Sequence, residues 1–109
     1  MSILINASLP NPAPNTDKDD VFQFNTGTAN SISFYMSWTG SFDAALVPIK
    51  AVGNNFFPPG VAIAGASSLS LGIVPDASIA PRWIDVQDGN GASYGKQDIG
   101  PYTLVISAN

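Results

Sequence analysis

From Ser31 to Trp38, apolar and polar side chains alternate without a break. Ile32, Phe34, Met36 and Trp38 fall on one side of an extended chain, and Ser31, Ser33, Tyr35 and Ser37 fall on the other. A period of two suits a half-buried antiparallel strand and cannot build the stripe that a helix buries. The same rhythm returns in Ile3, Ile5, Ala7 and Leu9, in Leu69, Leu71 and Ile73, and in the closing segment from Tyr102 to Ser107. No stretch of a dozen residues keeps helical periodicity without a Gly or Pro interruption. Glu, a favoured helix former, is absent, and all eight acidic residues are Asp. Asp, Asn, Gly and Pro gather between the apolar runs, where a chain turns. The pattern predicts an antiparallel all-β sandwich, Ig-like or jelly-roll-like, of seven to eight short strands.

At 109 residues the chain suits one core. Residues 1–20 read as an N-terminal strand or arm followed by a proline-bearing connector, and residues 21–109 as a single sandwich domain. Thr39–Asp43 reads as a turn that ends the strand Ser31–Trp38. Ala44–Val52 follows as an edge or bulged strand, because Pro48 lacks the N–H a ladder needs. Val61–Ala64 and Ser68–Val74 read as two short strands, Arg82–Gln87 as another, and Asp88–Gly100 as a glycine-rich hairpin tip.

The residue inventory excludes most chemistry. No His is present as a base near neutral pH and no Cys as a nucleophile or soft metal ligand. The chain is expected to be no enzyme, with no cofactor, no metal and no catalytic residue. Asp17-Lys-Asp-Asp20 reads as a solvated turn rather than half a calcium site. Asp88-Gly-Asn-Gly91 starts like a calcium loop, but Ala92 and Ile99 stand where ligands are needed. Asp43 and Asp85 beside Trp83 are the remote candidates for a glycosidase pair, and Asn6-Ala-Ser8 is a chance sequon. A net charge of −4 and four scattered cations (Lys18, Lys50, Arg82, Lys96) speak against nucleic acid and anionic membranes. No signal segment is visible at Met1–Asn6, so synthesis in a reducing cytoplasm is expected. The uncharged run 51–75 is broken by Pro58-Pro59, Asn and Gly, which defeats a transmembrane reading.

Only 11% of residues are charged, against roughly 25% in an ordinary soluble domain. A surface so poor in charge is most simply explained by coverage, either by a partner or by further copies of the chain. Phe56-Phe57-Pro58-Pro59 is the one apolar loop. Its rings either close over the end of the core or anchor an interface. Trp83 shares a strand face with Asp85 and Gln87, as a contact residue would, or as a tryptophan shielded at the rim would. Phe56, Phe57, Pro58 and Trp83 are therefore the candidate interface residues.

The run Ser31-Ile-Ser-Phe-Tyr-Met-Ser-Trp-Thr-Gly-Ser-Phe, with Ala45-Leu-Val-Pro-Ile, Pro81-Arg-Trp-Ile-Asp-Val and Tyr102-Thr-Leu-Val-Ile-Ser, resembles the strand layout of small tailed-phage virion accessory proteins. The resemblance spans residues 21–108 and is one of strands and turns. It implies a β-sandwich in the virion, made in the host cytoplasm, that decorates or cements a capsid or tail lattice. Its implied partners are further copies of itself, the major capsid protein or a tail protein. It transfers no catalytic residue. Residues 1–20 lie outside it, and an arm lending a strand to a neighbour would suit them. The alternative from a different class is a small carbohydrate-binding module or lectin, with Trp83, Asp85 and Asn90 forming its platform.

Overall fold

The computed structural model describes residues 2–9, 18–25, 29–51, 55–56, 60–73 and 82–109. Seven strands account for nearly all of them: β1 (Ser2–Leu9), β2 (Asp19–Phe24), β3 (Ile32–Ala51), β4 (Asn55–Phe56), β5 (Val61–Ile73), β6 (Arg82–Asp88) and β7 (Gly100–Ala108). Every pairing is antiparallel, and the main path through the sheet runs β1-β7-β3-β6-β2, with β4 and β5 on the other side of β3. The expected all-β antiparallel class is what the chain adopts.

Two of its strands are far from short. β3 runs for 20 residues and β5 for 13. The expected turn at Thr39–Asp43 does not end the strand. The backbone passes through it with register shifts between Ser37 and Phe42 and between Phe42 and Ala44, and Gly40 takes a φ of 99° that an L side chain resists. A glycine within an alternating run marks a bulge here and not a hairpin end. Likewise the two short strands expected from Val61 and from Ser68 onward are one strand, β5, which passes through Gly65 at a φ of 60° and is described as far as Ile73. Pro48 sits where the β5 ladder has ended at Leu46 and the β4 ladder has yet to begin at Ile49, so its missing N–H interrupts neither.

The bend divides the sheet into two leaves that share one ribbon. In the first leaf, β7 and β1 extend from the early half of β3, opposite the late half of β5. In the second, β6 and β2 extend from the late half of β3, opposite the early half of β5. The inward rows of the first leaf are Ile3, Ile106, Phe34 and Leu71, then Ile5, Leu104, Met36 and Leu69. They meet Leu46, Ile84, Val86 and Phe24 of the second leaf in one core. Phe24 and Phe34 touch edge to face across the two leaves, with centroids 5.6 Å apart at 77°. The Tyr102 hydroxyl in β7 donates to Asp20 Oδ2 in β2 at 2.6 Å, a polar strap between the leaves.

Asp43 holds the bend itself. Its carboxylate accepts from the Gly65 N–H at 2.8 Å and the Ser93 hydroxyl at 2.8 Å. Its own N–H donates to Gln97 Oε1 at 2.7 Å, and its carbonyl accepts from the Gly89 N–H at 2.9 Å. One residue thus ties both bulges to the β6–β7 loop. That loop is a tight turn built on a single 3₁₀ turn at Gly91–Ser93, with the Asn90 N–H donating to Ser93 Oγ at 2.8 Å. A Cβ on Gly89 would lie 2.2 Å from the Ser93 carbonyl oxygen, which is why glycine stands there.

Two readings of the N-terminal region change. Asp19 and Asp20 are strand residues, half-buried in β2, and not a solvated turn. β1 pairs with β7 of its own chain from Ser2↔Ser107 to Leu9↔Gly100, so this strand is spent within the chain's own leaf. Most of the connector between β1 and β2 lies outside the described residues.

Trp38 is 8% exposed and belongs to the core cluster, as does the fully buried Met36. Trp38→Ala should cost about 3–5 kcal/mol, read as a lower urea midpoint at unchanged m-value. An unshifted midpoint would show that the indole carries no packing.

Candidate functional site

The outward side of the first leaf is an array read directly from the registers. Across β1, β7, β3 and β5 its rows are Ser2, Ser107, Ser33 and Gly72; then Leu4, Val105, Tyr35 and Ser70; then Asn6, Thr103, Ser37 and Ser68. None of these positions is charged. Its middle row is apolar and open, with Leu4 64% and Tyr35 49% exposed. Each flanking row holds one side-chain pair: Thr103 Oγ1 donates to Asn6 Oδ1 at 3.0 Å, and the Ser2 and Ser107 hydroxyls lie 3.4 Å apart. Small neutral polar groups beside an apolar stripe cost far less to desolvate than charges, which is what a contact surface needs. The alternation marks Tyr35 as outward-facing, but the row it forms with Leu4 and Val105 exists only through strand order, which joins the two ends of the chain.

Besides the two-residue β4, three strands have an edge with no partner among the described residues. β2, at one end of the path, carries Asp19 and Asp20 and follows Lys18. Charges of this kind guard an edge against pairing. β1, at the other end, and β5, beyond β3, contain no charged residue.

The second leaf differs. Trp83 lies with Asp85 and Gln87 on the side facing away from the core, as the alternation predicts, and is half-buried. Asp85 is 7% exposed. Burial pushes its carboxyl up to about 7; the Gln87 Nε2 bond at 2.9 Å opposes this, and Asp19 and Asp20 add to the rise. Tyr94 is pushed up to about 12, by burial first and then by Asp19 and Asp85. Asn90 lies past the end of β6, outside the strand face that Trp83 and Asp85 share. Asp43 lies four positions along β3 from Val47, the partner of Asp85. That spacing is about 13 Å, beyond the separation glycosidase carboxylates use. Among the described residues no group of three or more carboxylates is placed to hold a metal ion.

Phe56 lies in β4, with its backbone opposite Ile49. Phe57 and Pro58 lie outside the described residues.

No protein-family model matches the chain, and no curated protein matches it in sequence. Solved structures do match. An endospore appendage pilus subunit from Bacillus aligns over 97% of this chain and 82% of its own, at TM-score 0.57 and 13% identity. The pre-peptidase C-terminal domain of a Bacillus anthracis collagenase aligns over 100% and 90%, at TM-score 0.57 and 18% identity. The coat protein of Tobacco streak virus aligns over 97% and 85%, at TM-score 0.48 and 9% identity. At these identities the first two likenesses are likenesses of fold.

The two perturbed aspartates pull stability in opposite directions with pH. Folded Asp85 keeps its proton to about pH 7, whereas the unfolded chain releases it near 3.8, so its effect is a loss of stability as pH rises across that window. Asp43 is held below 3.8, first by the Ser93 hydroxyl and then by the Gly65 N–H, so its contribution is present above that value and lost beneath it. Asp85→Asn should flatten the decline between about pH 4 and 7 and raise the melting temperature at pH 8, with little change at pH 4. A slope identical to the parent's would remove Asp85 from this role.

Proposed function

We propose that this chain is a non-enzymatic structural subunit that works by assembly with further copies of itself on a larger particle. The observation that carries the reading is the uncharged outer face of the first leaf, with Leu4 and Tyr35 open at its centre on either side of half-buried Val105. Two features lend support. The fold is shared with a subunit of endospore appendage pili, a protein whose work is assembly. Asp43, one of the two aspartates weighed for hydrolysis, is consumed in holding the bend.

In its finer form the proposal is a decoration or cement module of a phage-like particle, made in the host cytoplasm and bound to the capsid or tail lattice. The strand layout that resembles virion accessory proteins supports this form. Within it, Phe56, Phe57, Pro58 and Trp83 are contact residues. The prolines that follow Phe57 in the sequence fix φ and limit the entropy an adjacent aromatic loses on docking.

Tyr35→Lys places a charge at the centre of the face. Folded stability should change by no more than about 0.5 kcal/mol, while self-association measured by sedimentation weakens about tenfold or more. A parent protein that stays monomeric at high concentration, and a variant that behaves identically, would end the proposal.

The loop proposal has its own check. Phe57→Ser should leave thermal unfolding cooperative and reduce incorporation into particles. Loss of folding in step with loss of incorporation would instead place the ring in the core.

A further inference from the structure

β1 and the late half of β5, both uncharged and without an outer partner among the described residues, belong to the same leaf and stand at its opposite sides. We infer that successive copies of the chain join head to tail, with β1 of one copy adding to the late half of β5 of the next and continuing one antiparallel sheet across the joint. This inference rests on the self-assembly reading and names the surfaces that perform it.

Four independent features converge on this pairing. The first is polarity. Strand direction reverses at each step from β1 to β7, β3 and β5, so a leaf of four strands presents opposite directions at its two edges. A copy added in the same orientation therefore meets β5 antiparallel, the pairing used everywhere else in the molecule. The second is face matching. Both edges put apolar residues inward and small polar ones outward, so Ile3 and Ile5 of one copy fall level with Leu71 and Leu69 of the next when the rows continue. A slip of one residue would invert both faces and is excluded by the pattern.

The third is incomplete burial. Ile3, Ile5 and Leu71 pack against the core yet stay partly exposed, as side chains beside an absent strand do. The fourth is charge. β1 and the late half of β5 carry neither charge nor proline, whereas β2 is guarded by Asp19 and Asp20. The joint uses different surfaces on its two sides, so it propagates rather than closing as a dimer. Sheet twist of about 20–25° per strand turns successive copies by about 80–100°. Strand spacing sets them about 19 Å apart along the hydrogen-bonding direction.

The chain contains no Cys, so engineered thiols report the joint cleanly. Leu4→Cys and Ser70→Cys sit on the outward rows of the two edges and fall level across it. Full-length single variants are mixed at assembling concentration and oxidised, with light scattering run in parallel. The mixture should give a mixed disulfide at least about fivefold above either variant alone, within the reach of cross-strand Cβ atoms. Val21→Cys on the guarded β2 edge should give none with Ser70→Cys. Assembly by light scattering without the Leu4–Ser70 disulfide would overturn the joint and leave self-assembly standing. So would Leu4→Cys pairing with itself as well as with Ser70→Cys, since that is a two-fold contact. A monomer throughout would overturn both.

Discussion

The bend in β3 is the constraint from which the rest follows. A 20-residue strand that changed leaves without interruption would have to bend from one to the other while keeping two ladders. The chain solves this with two bulges and a single carboxylate. Asp43 binds the Gly65 amide on the paired strand and the Ser93 hydroxyl of the β6–β7 loop, so both strands of the ribbon turn at the same place. With the bend set, β7 and β6 continue from the same side of β3 in different leaves, and their inward rows close on Phe24, Phe34 and Ile84.

Charge is distributed by leaf. Asp19, Asp20, Asp85 and Asp88 all fall on β2 and β6, where Tyr102, Gln87 and the Gln97 amide engage three of them. The four strands of the other leaf offer Ser, Thr, Asn, Leu, Val and Tyr to the outside. Collecting the acids on one leaf adds the charges of Asp19 and Asp20 to the burial that pushes the Asp85 carboxyl up to about 7. It also leaves the opposite leaf uncharged, without electrostatic cost to bringing two such surfaces together. The scarcity of charge in the composition is thus a local property of one face and not an even thinning.

Alternation made the strands legible. Met36 and Trp38 inside, Tyr35 outside and Trp83 beside Asp85 follow from counting by two. What counting by two cannot convey is whether a glycine ends a strand or bends it. Gly40 and Gly65 look like turn residues locally, and only the ladder on the far side shows them to be bulges. Asp19 and Asp20 looked like loop acids because their partners, Tyr102 and Asp85, lie more than sixty residues away. The apolar outer row was invisible for the same reason, since Leu4 and Tyr35 meet only through Val105.

The pairing of Ser2 with Ser107 has a mechanical consequence. Strands β1 and β7 meet at the point where the one begins and the other is nearly complete, so tension applied between these two residues acts across the ladder. It opens the outer pair one hydrogen bond after another, like a zip. Tension carried along β3 is resisted differently. It runs parallel to the strands, and β5, β6 and β7 must all slip at once before the ribbon yields. The molecule is therefore soft when pulled at its outermost strands and stiff along its shared one.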